Sequence, residues 1–224
     1  MTMKRLNVMM VSVLMTACVM AHGKGKFEMC LPMTNETKSF YCDVSTMQQS
    51  DGSIGYTGCS IFLYTPTKDA KVRVTIDSKE VPRFIEFLYA VKDKYHEWDS
   101  IAKANDVKGF MKKMPIEMKS KGGIWCLYFV EEKPARSTFD MNKSWQLFIP
   151  FFSVDKMGSS YVEWNTSDLE YSVRGGLHGL GNVVEIERCE GGVFRFSSAE
   201  QIQSLIDCFE KCGEVDKSKD ALFR

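Results

Sequence analysis

His178 stands in the run Gly175-Gly176-Leu177-His178-Gly179-Leu180-Gly181, a segment that can turn sharply and carry an acid or a base to a substrate. A thiol that met it in space, from Cys126, Cys189 or any other free cysteine, would complete a cysteine-histidine nucleophile pair. The run lacks the Lys and the Ser or Thr that follow a phosphate-binding loop, and no helical pattern follows it. A second chemistry belongs to carboxylates. Glu185 and Glu187 alternate with Val184 and Ile186, so they share one strand face, with Glu163 and Glu170 on nearby segments. Paired carboxylates serve hydrolysis, but acidic outer faces of sheets are common and no spacing here is diagnostic. His178, Glu185 and Glu187 are therefore weak catalytic candidates.

The third group is aromatic. Trp145, Phe148, Phe151, Phe152, Tyr161, Trp164 and Tyr171 fall within 27 residues. Flat rings beside short polar turns make glycan- or protein-binding faces, because they offer contact area at low entropic cost. Trp145, Trp164 and Tyr171, with Asn165 and Asp168, are the ligand-binding candidates.

Eight cysteines are present: Cys18, Cys30, Cys42, Cys59, Cys126, Cys189, Cys208 and Cys212. Cys30 and Cys42 flank a short segment that reads as a hairpin and are the favoured disulfide pair. Cys208 and Cys212 are four apart on a helical pattern, where direct bonding has poor geometry. Cys-x2-Cys spacing is absent and no second close pair accompanies Cys208 and Cys212, so neither a metal nor a cofactor is expected.

Such chemistry needs a compartment. Residues 1–21 place Lys4 and Arg5 before an apolar run and small residues, the layout of a secretory signal with cleavage after Ala21. Leu14-Met15-Thr16-Ala17-Cys18 also resembles a lipoprotein signal, which would put cleavage before Cys18 and a lipid on its sulfur. Export makes disulfides available. Without Cys18 seven cysteines remain, an odd number, so at least one thiol stays unpaired within the monomer. Lys plus Arg and Asp plus Glu number 29 each, for a formal net charge of zero. No basic excess draws the chain to a phosphate backbone, so nucleic acid is not an expected partner.

The elements that must position these groups follow from periodicity. Phe27–Cys30 and Lys38–Val44 read as strands after a flexible 22–26 leader. Ile54–Tyr64 is apolar on both alternations and reads as a strand covered on both sides; Lys71–Ile76 alternates cleanly. Val81, Phe84, Ile85, Leu88, Val91 and Tyr95 then fall at helical spacing behind a capping box of Asp77 and Glu80. That helix is expected to end near Trp98 or Asp99, with a short second helix through Phe110. Ile124–Glu131 and Trp145–Phe152 read as strands, the latter ended or bulged near Pro150. Tyr161–Trp164 and Glu170–Val173 are shorter ones. Val183–Arg188 and Val193–Phe196 read as a hairpin about Cys189-Glu190-Gly191-Gly192. Ile202, Leu205, Ile206 and Phe209 form a last helix face, capped by Ser197 to Glu200 and stopped at Gly213.

The two strand-to-helix passages resemble each other. Lys71–Ile76, Asp77–Glu80 and the Val81 face correspond to Gly191–Phe196, Ser197–Glu200 and the Ile202 face, with the caps offset by 120 and the faces by 121. A duplicated β-meander-plus-helix unit has this outline. The order of elements also resembles the single-stranded DNA-binding family of plant whirly and related coactivator proteins, over about a quarter of the chain. The resemblance implies a fold, not a function, because export and zero net charge oppose nucleic-acid binding.

The expected fold is α+β, predominantly antiparallel sheet with a packed helix in each half. A signal over 1–21 precedes a half over 22–119, a half over 120–213 and a charged tail over 214–224. The expected function is an exported, non-catalytic binding or structural protein of the cell envelope, with a glycan or another envelope protein as partner. Membrane contact would come only through a lipid on Cys18. The alternative is an envelope hydrolase acting near Gly175–Asn182.

Overall fold

The computed structural model describes residues 24–32, 34–48, 54–131, 133–134, 145–175 and 183–220. The 1–21 leader with Cys18 lies outside them, as does His178.

The first unit is a meander of β1 (Lys24–Cys30), β2 (Thr37–Gln48), β3 (Ile54–Tyr64) and β4 (Ala70–Asp77), followed by α1 (Val81–Ala104). The second begins with β5 (Phe110–Lys113) and β6 (Met118–Lys121), and the chain then crosses to the first sheet as β7 (Ile124–Val130) and β8 (Lys133–Pro134). It returns as β9 (Trp145–Phe148), β10 (Phe151–Val154), β11 (Ser160–Asn165), β12 (Leu169–Gly175), β13 (Val183–Cys189) and β14 (Val193–Phe196), and ends in α2 (Ala199–Asp220). One sheet runs β1-β2-β3-β4-β7-β8 and the other β14-β11-β10-β5, with β6-β9 and β12-β13 as two-stranded ladders. Every pairing is antiparallel. The fold is the expected α+β one, and each unit is a meander followed in sequence by a helix.

The helices are exchanged. The α1 helix follows the first meander but lies on the second sheet, where Tyr95 and Trp98 pack on Phe152. Helix α2 follows the second meander but lies on β1, β2 and β3 of the first sheet. There Gly25 admits it closely: a Cβ on Gly25 would stand 2.8 Å from Cys208 Sγ. The two helices meet between the sheets, with Phe84 edge-on to Phe209 at 5.1 Å. A single apolar cluster runs through both units.

Several expectations are corrected. Between Ser100 and Ser120 there is no second helix. Helix α1 runs on to Ala104, the Asn105 side chain donates to the Ile101 carbonyl at 2.8 Å, Asp106 takes φ 47°, and β5 follows. Asp77 and Glu80 form no capping box. The Asp77 carboxylate accepts from the Lys79 N–H instead, and the helix starts after Glu80 with Pro82 in its first turn. The second cap sits one residue later than expected: Ser198 Oγ accepts from the Gln201 N–H, and Gln201 Oε1 accepts from the Ser197 N–H. Helix α2 therefore has three residues ahead of Ile202, whereas α1 opens on Val81 itself. This lead breaks the constant offset between the two passages. Gly213 does not stop α2, which continues to Asp220; an interior glycine costs about 1 kcal/mol relative to alanine, too little to end a helix. The 22–26 leader is a strand from Lys24 onward.

The strands β13 and β14 are not a hairpin with each other. Asn165 faces Val193 and Leu169 faces Cys189, so β11-β12 and β13-β14 are two arms of one longer ladder in continuous register. Gly191-Gly192 is a close approach within the second arm. A Cβ on Gly191 would lie 2.0 Å from the Thr166 carbonyl oxygen, and one on Gly192 2.0 Å from a Val72 methyl. Thr166 accepts there from the Gly192 N–H at 2.8 Å.

Tyr95 links α1 to the second sheet. Its hydroxyl donates to the Ser197 carbonyl at 2.7 Å and lies 3.0 Å from Ser160 Oγ. Burial pushes its pKa from 10.0 to about 12, so the folded state holds the neutral phenol. The stability this contributes is complete below pH 10 and is lost as pH rises toward about 12. Tyr95→Phe is expected to cost about 1–3 kcal/mol at neutral pH and to flatten the alkaline decline. Denaturant midpoints on either side of pH 10 check both; equal alkaline slopes in the two proteins would refute the assignment.

Candidate functional site

The sequence-selected residues do not converge. Trp164 is a core ring, 1% exposed. It stacks on Phe194 at 5.0 Å and 13° and stands edge-on to Phe87 at 5.4 Å. As a member of a ligand face it is corrected, because alternation along β11 turns it inward. Asn165 is exposed at the end of β11. The Asp168 carboxylate is engaged by the Arg188 guanidinium and accepts from the Gly191 N–H at 2.8 Å, so it pins the junction between the two ladder segments. Trp145 and Tyr171 contribute backbone to β9 and β12, and Glu185 and Glu187 to β13; their side chains lie outside the described residues, as does all of His178. Glu163 is paired with Arg195 on the neighbouring strand.

The cysteines are arranged differently from the expected pairing. Cys42 faces Gly25 and Cys30 faces Thr37 along the β1-β2 ladder. Five residues of strand, roughly 17 Å, separate their positions, which rules out a Cys30–Cys42 bond. The seven described cysteines are all thiols. Cys126 is pushed up to about 12 by burial, and burial also raises Cys189. Both shifts oppose the thiolate that a nucleophile requires. Cys42 instead meets Cys212 of α2 and Cys59 of β3. Hydrogen bonds from Cys42 and Cys59 lower the pKa of Cys212, while the contacts of Cys42 with Cys212 and Cys59, together with burial, raise that of Cys42.

What the folded chain does assemble is the open side of the first sheet. The strand β4 turns Val72, Val74 and Ile76 inward and Lys71, Arg73 and Thr75 outward. Its neighbours add rings to that outer side. Phe62 faces Arg73, which in turn faces Leu127; Tyr64 faces Lys71, which faces Phe129; Thr75 faces Trp125. Tyr41 faces Lys26 on the far strands. Trp125 is 50% exposed, Tyr41 52% and Phe62 43%. The rings hold the cations in place. Arg73 Cζ lies 6.0 Å from the Phe62 centroid, Lys71 Nζ 5.9 Å from that of Tyr64, and Phe62 and Phe129 are 6.0 Å apart. Arg73 also donates to Ser60 Oγ at 3.2 Å. Among the described residues no carboxylate forms an ion pair with Lys26, Lys71 or Arg73. At one end the face runs into an open hollow of about 740 Å³ between Tyr64, Lys71, Phe129 and Glu131.

Sequence reading missed this face for a definite reason. Apolar residues occupy both alternations of β3 and β7, and in β3 this reads as two-sided burial, yet the helix covers only one side. The available signal was the juxtaposition of those two patterns with the clean Lys71-Arg73-Thr75 row, which only the β3-β4-β7 order brings together.

The described helices include none long and apolar enough to cross a membrane. Comparison with protein-family models, with curated proteins and with solved structures finds no match.

Proposed function

We propose that the protein is an exported, non-catalytic binding protein that takes an acidic glycan across the open face of its first sheet. The observation that carries this reading is the set of exposed rings around Lys71 and Arg73, with which no described carboxylate forms an ion pair. Rings suit the apolar faces of sugars, and cations beside them suit carboxylate or sulfate groups. The extracytoplasmic setting rests on the leader pattern, and the glycan class follows from that setting.

A second reading is single-stranded nucleic acid, favoured by the same alternation of rings and cations on a sheet and by the repeated meander-and-helix layout. The two part in one experiment. An array of acidic and neutral glycans is probed beside single-stranded oligonucleotides, with Trp125→Ala and Arg73→Ala as variants. Retention of acidic glycans, weakened at least about 10-fold by either substitution, supports the proposal. Retention of oligonucleotides alone replaces it with the second reading. Binding that both variants leave intact removes the face from function. Intact mass of the protein from its native host tests export separately: a start near His22, or a lipidated Cys18, is expected, and a full-length product would overturn it.

A further inference from the structure

Three thiols meet where α2 crosses the first sheet. Cys42 comes from β2, Cys59 from β3 and Cys212 from α2, and their sulfurs all lie within 4.8 Å of one another. Cys42 Sγ and Cys212 Sγ are 3.7 Å apart. Cys42 and Cys59 are fully buried and Cys212 is 3% exposed. These distances exclude a disulfide and admit a shared ion. A disulfide holds its sulfurs at about 2.05 Å. Sulfurs bound at about 2.3 Å to one ion stand about 3.8 Å apart at tetrahedral corners and about 4.0 Å apart in a trigonal plane. The 3.7 Å Cys42–Cys212 separation matches the tetrahedral spacing, and the 4.8 Å bound on the other two leaves room for one ion between the three sulfurs.

The number of donors discriminates further. Among the described residues no fourth His, Cys, Asp or Glu joins the three sulfurs. Structural zinc takes four ligands. Copper(I), soft and without a geometric preference for four, is satisfied by three thiolates. We propose that Cys42, Cys59 and Cys212 form a closed, three-coordinate site for copper(I). Each S–H that becomes a Cu–S bond releases its proton to solvent. Copper stays in the +1 state, so binding needs no oxidant or reductant. The ion would tie α2, which belongs to the second unit, to β2 and β3 of the first. The inference is independent of the ligand assigned to the outer face, which lies on the other side of the sheet.

The test uses the full chain, reduced and handled without oxygen, with copper(I) supplied as its acetonitrile complex against the chelator bathocuproine disulfonate. One equivalent retained by the protein, with X-ray absorption at the copper edge showing a shell of three sulfurs, is the expected result. Losing an outer-sphere partner costs a metal site about 10–100-fold, so Cys59→Ser, which removes a ligand, should weaken retention by more than about 100-fold. Cys126→Ser and Cys189→Ser should leave it unchanged. Circular dichroism of apo Cys59→Ser verifies folding, and if that variant does not fold the edge spectrum of the unaltered protein decides. Loss of all copper to the chelator, a shell containing nitrogen or oxygen, preferential retention of zinc with four ligands, or a Cys42–Cys212 disulfide in native protein would each overturn the proposal.

Discussion

Trp164→Ala is expected to destabilise the protein by about 3–5 kcal/mol, the range for emptying a buried aromatic site. The ring touches Phe87 of α1 and Phe194 and Phe196 of β14, so its removal opens a gap where helix and second sheet meet. The neighbours cannot collapse into it easily, because Phe194 and Phe196 are themselves fully buried. Trp164→Phe should cost far less, about 1–2 kcal/mol. The indole Nε1 is buried with no hydrogen-bond partner among the described residues, and phenylalanine removes that orphan donor while keeping most of the stacking. Denaturant unfolding of both variants gives the two values. Equal losses would show that the indole nitrogen has a partner after all, and no loss in the alanine variant would refute the core assignment.

Removing α2 should abolish cooperative folding, and the damage should appear first in the other unit. A chain ending at Ser197 loses Ile202, Leu205, Ile206 and Phe209, all fully buried. The side chains they leave uncovered include Phe27 and Met29 of β1 and Phe84 of α1, because α2 lies on the first sheet and against the first helix. Amide hydrogen exchange should lose protection along β1, β2 and β3 rather than mainly along β11 and β14. A cooperative thermal transition in the truncated chain, or exchange confined to the second sheet, would contradict the exchanged arrangement. Residues 22–119 and 120–213 should accordingly fail to fold as separate pieces, since each meander depends on the helix that follows the other.

Local pattern determined much of this architecture. The alternation of Val72, Val74 and Ile76 with Lys71, Arg73 and Thr75 specified β4 and its two faces. The spacing of Phe84, Leu88, Val91 and Tyr95 specified α1, and that of Ile202, Leu205 and Phe209 specified α2, because these periods reflect backbone geometry within one element. Boundaries were less legible where two signals competed. The short β5 and β6 are separated by Met114 to Glu117, a stretch too broken for a period of two to show, and Gly191-Gly192 has the composition of a turn although it serves a close contact.

Tertiary structure alone decided the rest. Which sheet each helix covers depends on how the two units dock, and nothing within α1 or α2 encodes the partner. That exchange makes Trp164 a core ring and leaves Trp125 and Phe62 at the surface, although all three are aromatic residues in strands. It also brings Cys212 beside Cys42 across 170 residues of chain. Spacing along a sequence reports only neighbours within an element, so a three-thiol cluster drawn from two strands and a distant helix leaves no trace in it. Burial and convergence are properties of packed surfaces, and these surfaces exist only once both meanders have closed on each other's helices.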